Sequence, residues 1–243
     1  MDEGGRLLLL LIGATFVTST VSGMIGMAGG AMLLALLVIV GIAPATAIQL
    51  HAVIQLVSNL SRIVAYRRTL HLRPIVFFLL AAIPGPFLGV RLLTWLDPAS
   101  VKVLMGLSIL YATWAPKWGI ERLSKVGALM IAGALAGVLG VVIGAIGPII
   151  APFFLRSDFS KEELIGTKAC AQAGVHLLKL IAFGSIGFSI GRMSGWIVPM
   201  AVASVIGNFC GKWLLGYLTD QWFFRLYRWG LTFLALRLVY DGI

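Results

Sequence analysis

Long apolar runs dominate this chain, and only a few charges interrupt them. The main runs cover residues 7–43, 75–90, 103–115, 126–155, 164–190 and 195–218. About 20 apolar residues are enough to cross the hydrocarbon core of a bilayer. Because the runs fill nearly the whole sequence, the pattern predicts one transmembrane domain over residues 1–243. It leaves no stretch that would fold as a separate soluble domain.

Two of the apolar runs carry a polar stripe at helical spacing. The first stripe is His51, Gln55, Asn59 and Arg62, and the second is Lys168, Gln172, His176 and Lys179. Steps of 4, 4 and 3 residues place each set on one face of a helix. A charged side chain that faced lipid in mid-bilayer would cost several kcal/mol. The stripes are therefore expected to face protein or a watery cavity.

The individual stripe residues also have structural explanations. Arg62 and Lys179 could lie near a helix end and extend their charge to the membrane surface. Gln55 and Gln172 could be hydrogen-bonding contacts between helices. The functional explanation rests on the recurrence of the whole stripe, which would frame one anion site.

The stripes belong to an internal repeat. Segment 47–66 aligns with segment 164–183 at an offset of 117 residues, so that Gln55 meets Gln172 and Arg62 meets Lys179. The repeat predicts one half at 14–113 and a second at 131–240. A basic linker, 114–130, joins them.

Each predicted half opens with an apolar stretch that glycines interrupt. The first, 7–43, has 37 residues, which is too long for one span and cramped for two, and four glycines lie within 22–30. The second breaks near Gly144, Gly147 and Pro148. We expect two half-helices that meet at each break, in the manner of a re-entrant hairpin.

Gly29, Gly30 and Gly147 are expected to open the second arms of these hairpins. Free backbone N–H groups at the start of an interrupted membrane helix favour anions, and such breaks occur at transporter sites. A simple kink or close helix packing is the alternative.

Basic residues in short loops predict the orientation. Loop 67–74 holds three arginines and His71, and the linker 114–130 is also basic, so both are expected to be cytoplasmic. The loop of the second half that corresponds to 67–74 holds only Arg192 and is expected to be external. The predicted fold is an all-α integral membrane protein of two inverted-topology repeats. Each repeat is a glycine-broken helical hairpin plus about three transmembrane helices, and a parallel repeat is the alternative.

Composition and charge narrow the choice of function. The chain is 60% hydrophobic and 12% charged, with a formal net charge of +10, whereas soluble domains carry about 25% charged residues. The basic residues lie mostly in loops and at helix ends, so membrane orientation and lipid contact explain the charge better than nucleic acid does. A charge matched to an anionic substrate is the alternative.

Several kinds of site are absent from the sequence. The 9 acidic residues lie in loops or at segment ends, which argues against a cation site or a carboxylate proton relay. A coupling proton would therefore use His51 or His176, because histidine as a residue type titrates near neutral pH. The 3 histidines and 2 cysteines lack metal-ligand spacing, and no nucleotide loop is present. No metal, cofactor or enzymatic activity is predicted.

Four motifs resemble those of a known transporter family. They are G-x-I-G-M-x-G-G at 23–30, G-I-x-P-x-x-A at 41–47, Y-R-R at 66–68 and P-G-P-x-L-G at 84–89. Together they resemble the sulfite/sulfonate exporter family TauE/SafE over most of the chain. The second half departs from the pattern at Gly147–Pro148 and in its acidic turn 157–164. The resemblance implies transport of small sulfur-bearing anions across the bacterial inner membrane.

The leading hypothesis is a secondary-active exporter of sulfonates, sulfoacetate or sulfite. The expected substrate-binding residues are Gln55, Asn59, Arg62, Gln172, His176, Lys179, Gly29, Gly30 and Gly147. The alternatives are an anion channel or another membrane subunit without coupled transport, and an intramembrane serine hydrolase built on Ser22 or Ser194. Expected partners are the anion, membrane lipids and a second copy in a homodimer, which glycine-bearing apolar faces favour.

Overall fold

All regular structure in the computed structural model of this chain is helical within the residues that it describes, 3–25, 29–114, 123–154, 159–188, 190–215 and 221–243. The helices are α1 (Glu3–Ile25), α2 (Gly29–Ile39), α3 (Pro44–Ala65), α4 (Leu72–Ala82), α5 (Gly85–Trp95), α6 (Pro98–Trp114), α7 (Lys125–Val142), α8 (Gly147–Phe154), α9 (Lys161–Gly184), α10 (Ser194–Leu214) and α11 (Gln221–Tyr240). The prediction of an all-α chain is confirmed. Residues 115–122 of the predicted linker lie outside the described residues, as do 26–28 at the first glycine break.

Several of these helices have the length and composition of membrane spans. Gly4–Met24, Lys125–Val142 and Ser194–Leu214 each qualify alone, and α4 with α5 would make a fourth span if this pair, bent by 44°, crosses as one. The stripe helices α3 and α9 are also long, at 22 and 24 residues. A chain with this many long apolar helices is a multi-pass membrane protein.

The glycine breaks divide their stretches unequally. In the first half, α1 has 23 residues and rises about 35 Å, whereas α2 has only 11 residues. In the second half, α7 has 18 residues and α8 has 8. Each stretch is broken into two helices as expected, but the first helix is long enough to span and only the second is a short arm, because the glycines come late in each stretch. The short second arms do begin at Gly29 and Gly147, as predicted.

Small residues let α1 and α10 pack closely. A Cβ atom added to Gly207 would lie 2.5 Å from the carbonyl oxygen of Phe16, and one added to Gly211 would overlap that of Thr20. In the other half, α4 and α5 pack on α7 in the same way, since a Cβ on Gly85 would lie 2.5 Å from the Cα of Gly137. Both G-x-x-x-G pairs, Gly85 with Gly89 and Gly207 with Gly211, are thus used for close packing within one chain.

The stripe helices α3 and α9 pack against each other and run antiparallel. Near the start of α3, the ring of His51 lies 5.7 Å from that of His176, which is late in α9. Just beyond the end of α3, the ring of His71 bonds the carboxylate of Glu163, near the start of α9, at 2.9 Å. The two polar stripes are thereby brought face to face.

We expect Gly211→Val to lower the free energy of unfolding by about 1–3 kcal/mol. The added side chain would clash with backbone atoms of α1, which cannot move aside as a flexible side chain could. Gly13→Val is the matched control, since a Cβ at Gly13 meets nothing within 4 Å. Thermal unfolding of the purified variants in detergent measures both. Equal stability of the two variants would contradict the packing described for α1 and α10.

Candidate functional site

A cavity between the two stripe helices collects most of the predicted site residues. It has about 500 Å³ of empty space, including any solvent space that connects to it. Of the 10 predicted site residues, 8 line it: His51, Gln55, Arg62, Gln172, His176, Lys179, Gly30 and Gly147. The convergence of both stripes and both short helices on one cavity is the arrangement that the repeat suggested.

Lys179 lies wholly inside the protein. Its side chain is 0% exposed, and its Nζ donates a hydrogen bond to the carbonyl oxygen of Gly144 at 3.0 Å. Gly144 has a φ of +74°, a left-handed conformation that favours glycine, and it belongs to the break between α7 and α8. Lys179 therefore does not extend to the membrane surface, and it ties the stripe of α9 to the backbone of the break.

Arg62 is also buried, at 2% exposure, and reaches the cavity from α3. One of its terminal nitrogens donates to Oδ1 of Asn59 at 2.6 Å, and its Nε donates to the carbonyl oxygen of Ser58 at 3.5 Å. Because α3 provides both acceptors, the guanidinium is held along its own helix. Extension of Arg62 to the membrane surface is excluded by the same burial.

Asn59 is among the predicted site residues, but it does not line the cavity. Its Nδ2 donates to the carbonyl oxygen of Gln55 at 2.7 Å, and its Oδ1 accepts from Arg62. Both ends of the amide are therefore occupied within α3. In this arrangement Asn59 orients Arg62 instead of facing the cavity.

The two histidines of the stripes meet in the cavity. Their rings lie edge to face at 71°, with His51 1% exposed and His176 7% exposed. The Nε2 atom of His51 lies 2.9 Å from the carbonyl oxygen of Gly30. Neither Nδ1 atom has a hydrogen-bond partner among the described residues. Two buried ring nitrogens therefore have no hydrogen-bond partner in the described part of the chain.

The first residues of the short helices differ in what they contact. Gly30 lines the cavity, and a Cβ there would lie 3.0 Å from the side chain of Gln55. Gly29 does not line the cavity, because it packs against Thr18 and Ser22 of α1. Gly147 starts α8 and lines the cavity from the opposite half.

Some residues that line the cavity were not among the substrate-binding residues expected from the sequence. Ser22 lines the cavity from α1, and Phe78, Ala136 and Val175 form part of its apolar wall. Ser22 stands at the head of the glycine-rich motif, which was the available signal. The apolar wall had no signal, because its residues are indistinguishable in sequence from those that face lipid.

Asn208 lies beside the cavity lining and connects α10 to α3. Its Nδ2 is within hydrogen-bond distance of the Oγ atoms of Ser58 and Ser61, at 2.9 and 3.0 Å. Since Ser58 also accepts from Arg62 through its carbonyl oxygen, this contact braces the segment that holds the arginine.

The charge of the lining is of one sign. Among the described residues, the lining includes Arg62 and Lys179 but no aspartate or glutamate. Buried cationic groups are costly unless a negative charge or several acceptors compensate them. The first turns of α2 and α8 contribute Gly30 and Gly147 to the same lining, and a helix N-terminus beside such groups favours an anion.

Comparison with known protein families identifies the family of this chain. The family described as "Sulfite exporter TauE/SafE" matches residues 11–238, which is nearly the whole chain. No curated protein and no solved structure matches the chain significantly. The match confirms the resemblance that the sequence motifs indicated, and it fits the long apolar helices and the anion-favouring cavity. The chain belongs to the TauE/SafE sulfite exporter family, a family of membrane transporters.

Proposed function

We propose that this protein is a secondary-active exporter that binds sulfite, sulfoacetate or another small sulfonate in the cavity between α3 and α9. The family supports export of sulfur-containing anions in general. The observation that carries the proposal is the burial of Arg62 and Lys179, one from each stripe, around a cavity whose described lining has no carboxylate. A bound anion would supply the missing negative charge.

In this proposal, one set of groups neutralises the charge of the anion and another set forms directional hydrogen bonds to its oxygens. Arg62 and Lys179 neutralise the anion, and charge-assisted hydrogen bonds to its oxygens are the strong kind. Gln55 and Gln172 donate to the oxygens that remain, and the backbone N–H groups near Gly30 and Gly147 add partial positive charge. Asn59 has a positioning role, since it holds the guanidinium of Arg62.

The proposed transport cycle depends on the inverted repeat, with halves at 14–113 and 131–240 and a cytoplasmic linker. The corresponding helices α3 and α9 run antiparallel, as expected for halves related by a twofold axis in the membrane plane. The packing of α1 on α10, and of α4 and α5 on α7, is reciprocal between the halves. Rocking of one half against the other would then expose the cavity to each side in turn, across a bacterial inner membrane.

A coupling proton, if one is used, would lie on His51 or His176. Both line the cavity, whereas the third histidine, His71, lies in a loop and bonds Glu163. Imidazole is the side chain best suited to exchange a proton near neutral pH. We therefore propose this pair as the coupling site, with the proton on His176 while His51 stays neutral.

A homodimer stays a prediction. The glycine pairs that favoured it are occupied inside the chain, where Gly85 and Gly89 contact α7 and Gly207 and Gly211 contact α1. Their use within one protomer removes that support. Membrane lipids remain the expected partners of the exposed apolar side chains.

We expect Lys179→Gln and Arg62→Gln to weaken sulfite and sulfoacetate binding by about 10- to 100-fold, because each removes a charge-assisted hydrogen bond. Arg91→Gln is the control, since Arg91 is exposed on α5. Isothermal titration of the purified protein gives the affinities. Unchanged affinity in both cavity variants would refute the assignment of these residues.

We expect His176→Ala to flatten the pH dependence of sulfite export between pH 5 and pH 8, because the variant lacks the group proposed to carry the proton. His71→Ala should keep the wild-type profile. Uptake into inverted vesicles over this pH range measures both variants. A wild-type profile in His176→Ala would remove this residue from the coupling proposal.

We expect export to saturate and to show counterflow, in which unlabelled anion on one side drives labelled anion the other way. Counterflow requires a site that opens to one side at a time. Proteoliposomes loaded with unlabelled sulfite provide the measurement. Linear flux without counterflow would favour the channel.

A further inference from the structure

We propose that the cavity selects anions that carry a hydrogen-bond donor of their own, because His51 presents a buried acceptor that no described residue fills. The inference rests on the proposed function and names the class of anion more narrowly. Its substrates would be hydrogen sulfite, which retains an acidic proton, or a sulfonate with a hydroxyl or ammonium group near the sulfur. The shared chemistry is a negative charge with one donor beside it.

The tautomer of His51 follows from one hydrogen bond. Its Nε2 lies 2.9 Å from the carbonyl oxygen of Gly30, and a carbonyl oxygen can only accept. Nε2 must therefore carry the hydrogen, and in the neutral ring Nδ1 then has a free lone pair. The start of α2 thus determines which atom of the ring is available to a ligand.

The Nδ1 atom of His51 is buried and has no partner among the described residues. The ring is 1% exposed and lines the cavity that Arg62 and Lys179 also line. A further positive charge on the ring would be repelled by these two groups, and His176 faces it from α9. The arrangement favours a neutral ring whose open atom accepts a hydrogen bond.

The polar side chains in the lining of the cavity include several hydrogen-bond donors, and the Nδ1 atom of His51 is an acceptor among them. This acceptor makes the cavity prefer one class of anion over another. The cations and amides suit the oxygens of any sulfonate, so they do not distinguish one from another. A ligand without a donor would displace any water on Nδ1 and leave the lone pair bare, which loses affinity. Sites built around such a hydrogen bond reject analogues that lack the matching group.

Two matched sulfonates test the inference on the full-length protein in detergent. Ethanesulfonate and 2-hydroxyethanesulfonate differ by one hydroxyl group, and isothermal titration gives both affinities. We expect the hydroxylated ligand to bind at least about tenfold more tightly. Equal affinities would exclude a donor on the organic group and leave hydrogen sulfite as the class of ligand to be tested.

A second arm separates the two sources of the donor. Sulfite is titrated at a pH where it is mostly hydrogen sulfite and at a pH where it is mostly the dianion, with methanesulfonate as the reference that stays a monoanion at both. Tighter sulfite binding at the lower pH, relative to methanesulfonate, assigns the donor to the oxyanion's own proton. A preference confined to the hydroxylated sulfonate assigns it to the organic group, and a preference in neither arm overturns the inference.

His51→Leu identifies the acceptor. We expect this variant to lose the preference between the two sulfonates, whereas Lys179→Gln should weaken both ligands by a similar factor and His71→Leu should change neither. A preference that survives in folded His51→Leu would contradict the role of this ring. If that variant does not fold, the two wild-type ligand comparisons still decide the matter.

The outcomes distinguish the two proposals from each other. Tight binding of both sulfonates with equal affinity, together with no preference for hydrogen sulfite, would overturn the selection for a donor and leave the anion site in place. Binding of none of the sulfonates and of no form of sulfite would overturn the proposed function itself, and this inference with it.

Discussion

Positive charge buried without a matching carboxylate is the constraint on which the rest of this structure depends. Arg62 and Lys179 are enclosed by apolar helices, yet their described surroundings supply only carbonyl and amide acceptors. Those acceptors lower the cost of burial without cancelling the charge. A site that is stable but electrostatically incomplete suits a transporter, because the substrate completes it and must also be able to leave.

The packing of the helices explains how such a site is held. Glycines allow the backbone of α1 to approach that of α10, and the backbone of α7 to approach those of α4 and α5. These helices in turn pack against the stripe helices, α10 on α3 and α4 on α9. The short helices α2 and α8 can then begin inside the protein, where Gly30 and Gly147 line the cavity. Tight packing around the site and an interrupted backbone within it are two consequences of the same glycine-rich sequence.

Periodicity was enough to predict the helical class and the stripes. A polar face on a membrane helix is costly against lipid, so it must face protein or a watery cavity. The glycine clusters predicted Gly29 and Gly147 as helix starts. They did not predict the unequal arms of the hairpins, since glycine marks where a helix can break but not how deep the break lies. Asn59 shares the stripe with Arg62 but bonds to it, and spacing alone cannot separate a residue that faces a ligand from one that supports its neighbour.

The central claim is that a sulfur oxyanion is bound between Arg62 and Lys179. Selenite is a heavier analogue of sulfite, and its anomalous scattering locates it directly in crystals of the protein. The account predicts one strong peak within hydrogen-bond distance of Nζ of Lys179 and of the guanidinium of Arg62. A peak only at the basic loop around His71 and Arg73, with no selenium in the cavity, would contradict it.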